Sequence, residues 1–196
     1  MYICAYINIT FSLLFLKLFI FFIFEIIMKK AILITGTPGT GKSTIAQMFQ
    51  KEGFTVIDVG KYAKEHSLFD YYDEERDTYV VDDDLITETM IELIEQNDSS
   101  LPLILDGHVV ELPPLFLTHC IVLRCSIRLL RRRLVERDYM PSKVDENVQA
   151  EIMEVILSDM LELYGPENVS VVYTDSAVDE SFSDVLSKVK KYIDDI

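Results

Sequence analysis

The chain has 196 residues, a formal net charge of −15 at pH 7 and a pI near 4.5. That length is enough for one α/β domain with a real core, and the acidic balance argues against binding DNA or RNA through their phosphates while suiting a basic protein partner. Cys4, Cys120 and Cys125 have no C-x-x-C spacing, and the last two lie in or beside an apolar run, so they read as free thiols in a reducing, cytoplasmic compartment.

Residues 1–27 differ from the rest. Ile3 to Ile27 is dominated by Ile, Phe, Leu and Tyr, broken by Lys17 and Glu25, and is long enough to span a bilayer. It has neither a basic region before the apolar run nor a small-residue cleavage site, so it does not read as a signal peptide. A lysine at mid-span would cost about 2.5–3.5 kcal/mol on an insertion scale. Met28-Lys29-Lys30 then leads directly into an apolar pentad. Three readings stay open: a start at Met28, a membrane anchor with the Lys29-Lys30 flank on the cytoplasmic side, or an extra packed helix. The remaining reading concerns residues 28–196.

Ala31-Ile32-Leu33-Ile34-Thr35 reads as a strand, and Gly36-Thr37-Pro38-Gly39-Thr40-Gly41-Lys42-Ser43-Thr44 contains G-x-x-x-x-G-K-[ST]. Strand, glycine turn and helix start come in the order a phosphate cradle needs. The glycines let backbone amides from Gly39 to Thr44 approach an anion, and the following helix adds its N-terminal partial charge. Lys42 can reach the β- and γ-phosphates of ATP, and the Ser43 hydroxyl can ligate Mg²⁺. The first helix is expected over Lys42 to Lys51, ended by Gly53, followed by a strand over Phe54 to Asp58 and a short helix over 61–66. Residues 67–84 show no period, and between Asp70 and Asp84 eight acidic residues face one basic residue, Arg76. Asp82 to Asp84 suit an N-cap for a helix with Ile86, Met90, Leu93 and Ile94 on one face.

Leu101 to Asp106 reads as a strand buried on both faces, with Gly107-His108 at its carboxyl end. Pro113-Pro114 mark a turn before a strand over His119 to Arg124. Ser126 is placed to cap an Arg-rich helix, 127–137, and Pro141 excludes a continuous helix through the polar stretch that follows. A long helix is expected from Asp145 to about Tyr164, with a stripe of Val148, Ile152, Val155, Ile156, Met160 and Leu163, ended by Gly165-Pro166. Val169 to Thr174 is a further strand, and the last helix carries Phe182, Val185, Leu186, Val189, Tyr192 and Ile193 on one face. The alternation predicts a P-loop NTPase-type α/β fold: a doubly wound, five-stranded parallel sheet with helices on both faces. Ligands of such sheets sit at the carboxyl ends of the strands, where the P-loop, Asp58, Asp106, His108, Arg124 and Thr174 fall.

Asp106, at the end of an apolar strand, suits a carboxylate behind Mg²⁺, and His108 lies close enough to orient a water or a transferring oxygen. At about 100° per residue, Arg133 and Arg137 share a helix face and are nominated as the phosphate clamp, while Arg128, Arg131 and Arg132 lie on the other side. The polar loop 137–146 reads as a lid that excludes water.

Tyr72-Asp73-Glu74-Glu75-x-Asp77, Asp106-x-His108, Arg137-x-Tyr139 and Asn147-Val148-Gln149-x-Glu151-Ile152 together give the chain a resemblance to the adenylate kinase isoenzyme six family, over about residues 30–193. The family comprises small atypical nucleoside-monophosphate kinases that also act as ATPases. The resemblance implies that Gly39, Gly41, Lys42, Ser43 and Thr44 hold ATP. It implies a monophosphate-binding region at 58–81, a lid at 136–146, and Arg137 on the ATP phosphates. Asp106 and His108 would form a Walker-B-like pair, with His108 tied to hydrolysis. It further implies a partner, the eleventh protein of the small ribosomal subunit, and a late rRNA-maturation step on the pre-ribosomal small subunit. Three features depart from the pattern: Gly107 fills the middle of D-x-H, Arg76 is the only arginine in the monophosphate region, and residues 1–27 form a hydrophobic extension. The resulting expectation is a Mg²⁺–ATP-dependent kinase acting on AMP-type acceptors. Its rivals are a ribosome-assembly ATPase and, through residues 1–27, a membrane-tethered nucleotide-binding module.

Overall fold

The computed structural model describes residues 30–73, 78–80, 82–107 and 110–193. The readings of residues 1–27 therefore lie outside the described residues, within which no helix is long and apolar enough to cross a membrane. The strands are β1 (Ala31–Thr35), β2 (Val56–Asp58), β3 (Tyr71–Asp73), β4 (Thr78–Val80), β5 (Leu103–Asp106), β6 (Leu117–Arg124) and β7 (Val169–Tyr173). The helices are α1 (Lys42–Lys51), α2 (Val59–Glu65), α3 (Asp83–Gln96), α4 (Ile127–Val135), α5 (Pro141–Ile152), α6 (Val155–Tyr164) and α7 (Val178–Ile193).

Five strands form one parallel sheet in the order β2-β5-β1-β6-β7, as the alternation of elements predicts. β1 is the middle strand and buried throughout, hence its unbroken apolar run. Successive side chains take opposite faces. Ala31, Leu33, Leu103, Leu105 and Val122 pack with Val59, Ile86, Met90, Ile94 and Met160 from α2, α3 and α6. Ile32, Ile34, Ile104, Ile121 and Leu123 pack with Phe49 of α1 and Phe182, Val185 and Val189 of α7. A smaller cluster joins Leu130 and Leu134 of α4 to Val144 and Val148 of α5. Register aligns Asp106 with Ile34 on one side and Asp58 on the other, so both carboxylates stand level beside the P-loop.

Several boundaries move. α2 begins at Val59 because the Asp58 side chain accepts from the Lys61 amide at 2.9 Å and caps it. The stretch without a period contains an antiparallel hairpin, β3–β4, too short and polar to show one. Ser126 does not cap α4 with its side chain; its amide donates to the Asp175 carboxylate at 3.0 Å instead. The expected long helix starts earlier and is broken. Pro141 opens α5 at a first-turn position that needs no amide hydrogen, so the α4–α5 connection is only Glu136 to Met140. The helix then ends near Met153, and Glu154 takes the left-handed conformation at φ 55° before α6 begins. The break rotates the expected stripe: Val148 and Met160 stay buried, while Ile152 and Val155 are 58% and 41% exposed.

Phe49 has no exposed surface and meets Phe54 and Phe182 edge-to-face, with ring centroids at 5.2 and 5.0 Å. Phe49→Ala should lower unfolding stability by about 3–5 kcal/mol, read as a lower urea midpoint at unchanged slope.

Candidate nucleotide-binding site

β1 delivers the chain into the P-loop, and two glycines there are required by geometry. A Cβ on Gly36 would lie 2.2 Å from the Leu123 carbonyl oxygen, and Gly41 enters α1 at φ 104°. Thr40 folds the loop on itself, its hydroxyl donating to the Thr37 carbonyl at 2.8 Å. From β7's end, the Thr174 hydroxyl donates to the Thr40 carbonyl at 2.6 Å.

Lys42, at the start of α1, turns its ammonium back onto the loop and donates to the Gly36 and Thr37 carbonyls at 2.6 and 3.2 Å. Burial pushes its pKa down from 10.5 to about 8; Asp106 resists that shift, Arg137 adds to it, and Asp58 and Glu151 resist it. Asp106 is 4% exposed. Burial raises its pKa, opposed by a hydrogen bond from Ser43 and the charge of Lys42. The Ser43 hydroxyl and Asp106 carboxylate thus meet beside the lysine as hard oxygen donors, a set that fits Mg²⁺ arriving with phosphates.

A cleft of about 290 Å³ opens beside the loop, lined by Gly39, Gly41, Thr44, Arg133, Arg137 and Thr174 among others. The two nominated arginines share it but differ in state. Arg133 donates to the Thr174 hydroxyl and carbonyl at 3.0 and 2.9 Å and to the Gly39 carbonyl at 3.4 Å. Arg137 is exposed, and its charge is felt by Lys42. Arg131 pairs with Asp145 at 2.8 Å, and Arg132 pairs at 3.6 Å with Glu136, which itself lines the cleft. Cys120 and Cys125 are free and buried, and burial raises their thiols to about 12 and 11.

Sequence reasoning gave no chemistry to Thr37, Glu151 or Arg124, which the structure joins. Glu151, 4% exposed, accepts from the Thr37 hydroxyl at 2.5 Å and from Arg124 Nε at 3.0 Å. Arg124 also donates to the Glu151 carbonyl at 3.0 Å and to the Glu154 carboxylate. The advance signals were positional: Thr37 within the P-loop motif, Arg124 at the carboxyl edge of the sheet, and Glu151 as a motif residue without a role. His108, Arg76 and the acidic motif from Glu74 to Asp77 lie outside the described residues.

A strand-borne glycine loop, a helix N-terminus, a buried lysine and a carboxylate with a hydroxyl beside it define a P-loop nucleotide-binding protein. A family model described as an AAA domain matches residues 32–154. An adenylate kinase isoenzyme 6 homolog of Saccharomyces cerevisiae is 34% identical over 151 residues, 76% of this chain and 75% of its own. The Caenorhabditis elegans homolog of the same name is 34% identical over 140 residues, 70% of this chain and 76% of its own. A Methanocaldococcus jannaschii relative is 43% identical over 129 residues, 65% and 70% of the two chains. A gluconokinase structure from Sinorhizobium meliloti 1021 aligns with a TM-score of 0.51 at 15% identity, over 86% of this chain and 95% of its own, which speaks to fold alone. The chain belongs to the adenylate kinase isoenzyme 6 family.

Gly107, the middle residue of D-x-H, now has a packing reason. A Cβ there would lie 2.9 Å from the Cβ of Val59, which is wholly buried at the start of α2. Gly107→Ala should destabilise by about 1–3 kcal/mol, and Val59→Ala, which keeps the contacting Cβ, should not recover that loss; thermal melting of the single and double variants checks this.

Proposed function

We propose that the protein is a Mg²⁺–ATP-dependent nucleoside-monophosphate kinase that acts on AMP-type acceptors and also hydrolyses ATP. The observation that carries this is Lys42: a part-buried ammonium resting on the loop's own carbonyls, within electrostatic reach of Asp106 and Arg137. Amides of the loop around Gly39 and Gly41, with those of Ser43 and Thr44 at the helix N-terminus, supply donors for the donor's phosphates. Lys42 leaves its two carbonyls for the β- and γ-phosphate oxygens, exchanging neutral partners for charged ones. Ser43 and Asp106 would hold Mg²⁺, which neutralises phosphate charge when bound. Arg137, exposed at the cleft, is free to swing onto the transferring phosphoryl group, while Arg133 holds the cleft wall.

The acceptor's phosphate oxygen attacks the γ-phosphorus in line, forming one P–O bond as the bond to the bridging oxygen breaks. Residues 58–81 are assigned to the monophosphate and 136–146 to the lid, which keeps water from the attack position. The domain is residues 28–196. His108 is assigned to orienting the attacking oxygen.

A second reading has one observation in its favour. Arg76 is the only arginine in residues 58–81, in an acidic setting ill suited to an AMP phosphate. In that reading hydrolysis, with His108 orienting water, is the function. It would act on a pre-ribosomal small subunit, where the acidic chain meets a basic partner such as the eleventh small-subunit protein.

Purified protein with Mg²⁺–ATP, with and without AMP, separates the two. Two ADP formed per AMP consumed, lost in Lys42→Ala by a factor of about 100 or more, supports the kinase. ADP formed at one rate with AMP untouched selects the ATPase. Lys42 also gives a pH signature. With a free pKa of about 8, it is protonated at neutral pH and largely neutral at about pH 9. Bound phosphates favour the ammonium, so MgADP binding should take up close to one proton at about pH 9 and little at about pH 7. Calorimetry in buffers of different ionisation enthalpy reads this directly, and affinity should fall as pH rises through that window.

A further inference from the structure

The helix break at Met153–Glu154 is more than an interruption. It brings two carboxylates from one turn onto a single guanidinium, Arg124 at the carboxyl end of β6. Glu151 is fixed on three sides: Arg124 Nε on one oxygen, the Thr37 hydroxyl on the other, and a second Arg124 nitrogen on its carbonyl. Thr37 is equally constrained, being 2% exposed. Its side chain donates to Glu151 while its carbonyl accepts from both Lys42 and the Thr40 hydroxyl. One peptide unit of the P-loop therefore lies between a buried carboxylate and the phosphate-binding lysine.

We propose that Arg124 and Glu151 form a latch that holds the Gly36–Thr37 arm of the P-loop through the Thr37 hydroxyl, making both positioning residues for nucleotide binding. Neither touches the cleft that would take the nucleotide; they act through the loop. Holding the arm fixes the carbonyls on which Lys42 waits and the amides that follow. A loop already ordered loses less conformational freedom when phosphate arrives. Because Glu151 is in the last turn of α5, the helix that begins at the lid, the latch also anchors that helix to the loop. A buried carboxylate with this many donors is costly to form without a task, since an apolar residue would pack there without desolvating a charge.

The proposal rests on the nucleotide reading, and its test separates the two. The full chain is prepared as wild type, Thr37→Val, Thr37→Ser, Glu151→Gln and the Thr37→Val/Glu151→Gln double variant. Hydrogen exchange without nucleotide and MgADP affinity are measured for each. Thr37→Val and Glu151→Gln should speed exchange over residues 36–44, leave 103–106 and 117–124 unchanged, and weaken MgADP by about 10-fold each. Thr37→Ser, which keeps the hydroxyl, should retain near wild-type affinity. The double variant should bind no worse than the weaker single, because both remove one interaction. Additive losses, or lower melting temperatures with unchanged exchange over 36–44, would overturn the latch. Faster loop exchange at unchanged affinity would overturn it too. Wild-type protein that binds no MgADP would refute the nucleotide reading, and the exchange comparison would still decide whether the latch holds the loop.

Discussion

A lysine ammonium withdrawn from water costs several kcal/mol unless charges and dipoles replace the hydration it loses. Lys42 is in that position, and much of the surrounding architecture answers it. Two carbonyls accept its hydrogen bonds, Asp106 and Asp58 stand level at the ends of adjacent parallel strands, and Glu151 adds a third carboxylate through the loop. Arg137 pulls the other way, so the balance leaves the ammonium short of compensation and its pKa low. A site tuned like this has a standing demand for additional negative charge. Polyphosphate meets that demand, and a neutral ligand would not. The parallel sheet makes the arrangement possible, because register alone brings carboxylates from β2 and β5 to the same height beside the loop that leaves β1.

The periodic parts of this design were legible in the sequence. β1, α1, α3 and α7 declare themselves because each has a continuous apolar run or a clean helical stripe, and each is buried accordingly. Lys42, Ser43 and Asp106 were legible for a related reason: motif and strand end fix where a side chain stands, and the sheet does the rest. The α5–α6 break was not. Val148 to Leu163 keeps a good helical period on paper, and a single residue at φ 55° carries no compositional mark when that residue is glutamate. The cost of a non-glycine residue there is of order 1–2 kcal/mol. The Arg124 bond to Glu154 helps to offset it, and that bond is invisible without tertiary structure. Glu151 was illegible for the same reason, since its partners lie 114 and 27 positions away.

The Arg-rich helix shows how far one-dimensional reasoning goes. Helical spacing singled out Arg133 and Arg137, and both line the cleft. It could not separate the pair from each other. Arg133 is bound by three acceptors on β7 and the P-loop, so its charge is committed to the wall. Arg137 sits one turn later, past the end of α4, exposed and next to a connection of five residues from Glu136 to Met140. A group that must follow a phosphoryl through transfer needs that freedom, whereas one that shapes the cleft needs the opposite.

The same division governs the whole carboxyl edge of the sheet. On the β6–β7 side the groups are interlocked: Thr174 to Thr40, Arg133 to Thr174, Arg124 to Glu151, Glu151 to Thr37. Each bond crosses between elements, so none of these elements can move alone without breaking a buried interaction. On the β2–β5 side the contacts of the described residues are local. Gly107 packs on Val59 and Asp58 caps α2, and beyond them come a short helix and a short two-stranded hairpin. A kinase needs its donor site rigid and its acceptor side able to close, because the donor's phosphates must be held in line while a second substrate enters and leaves. The cross-links on the β6–β7 side give the P-loop that rigidity.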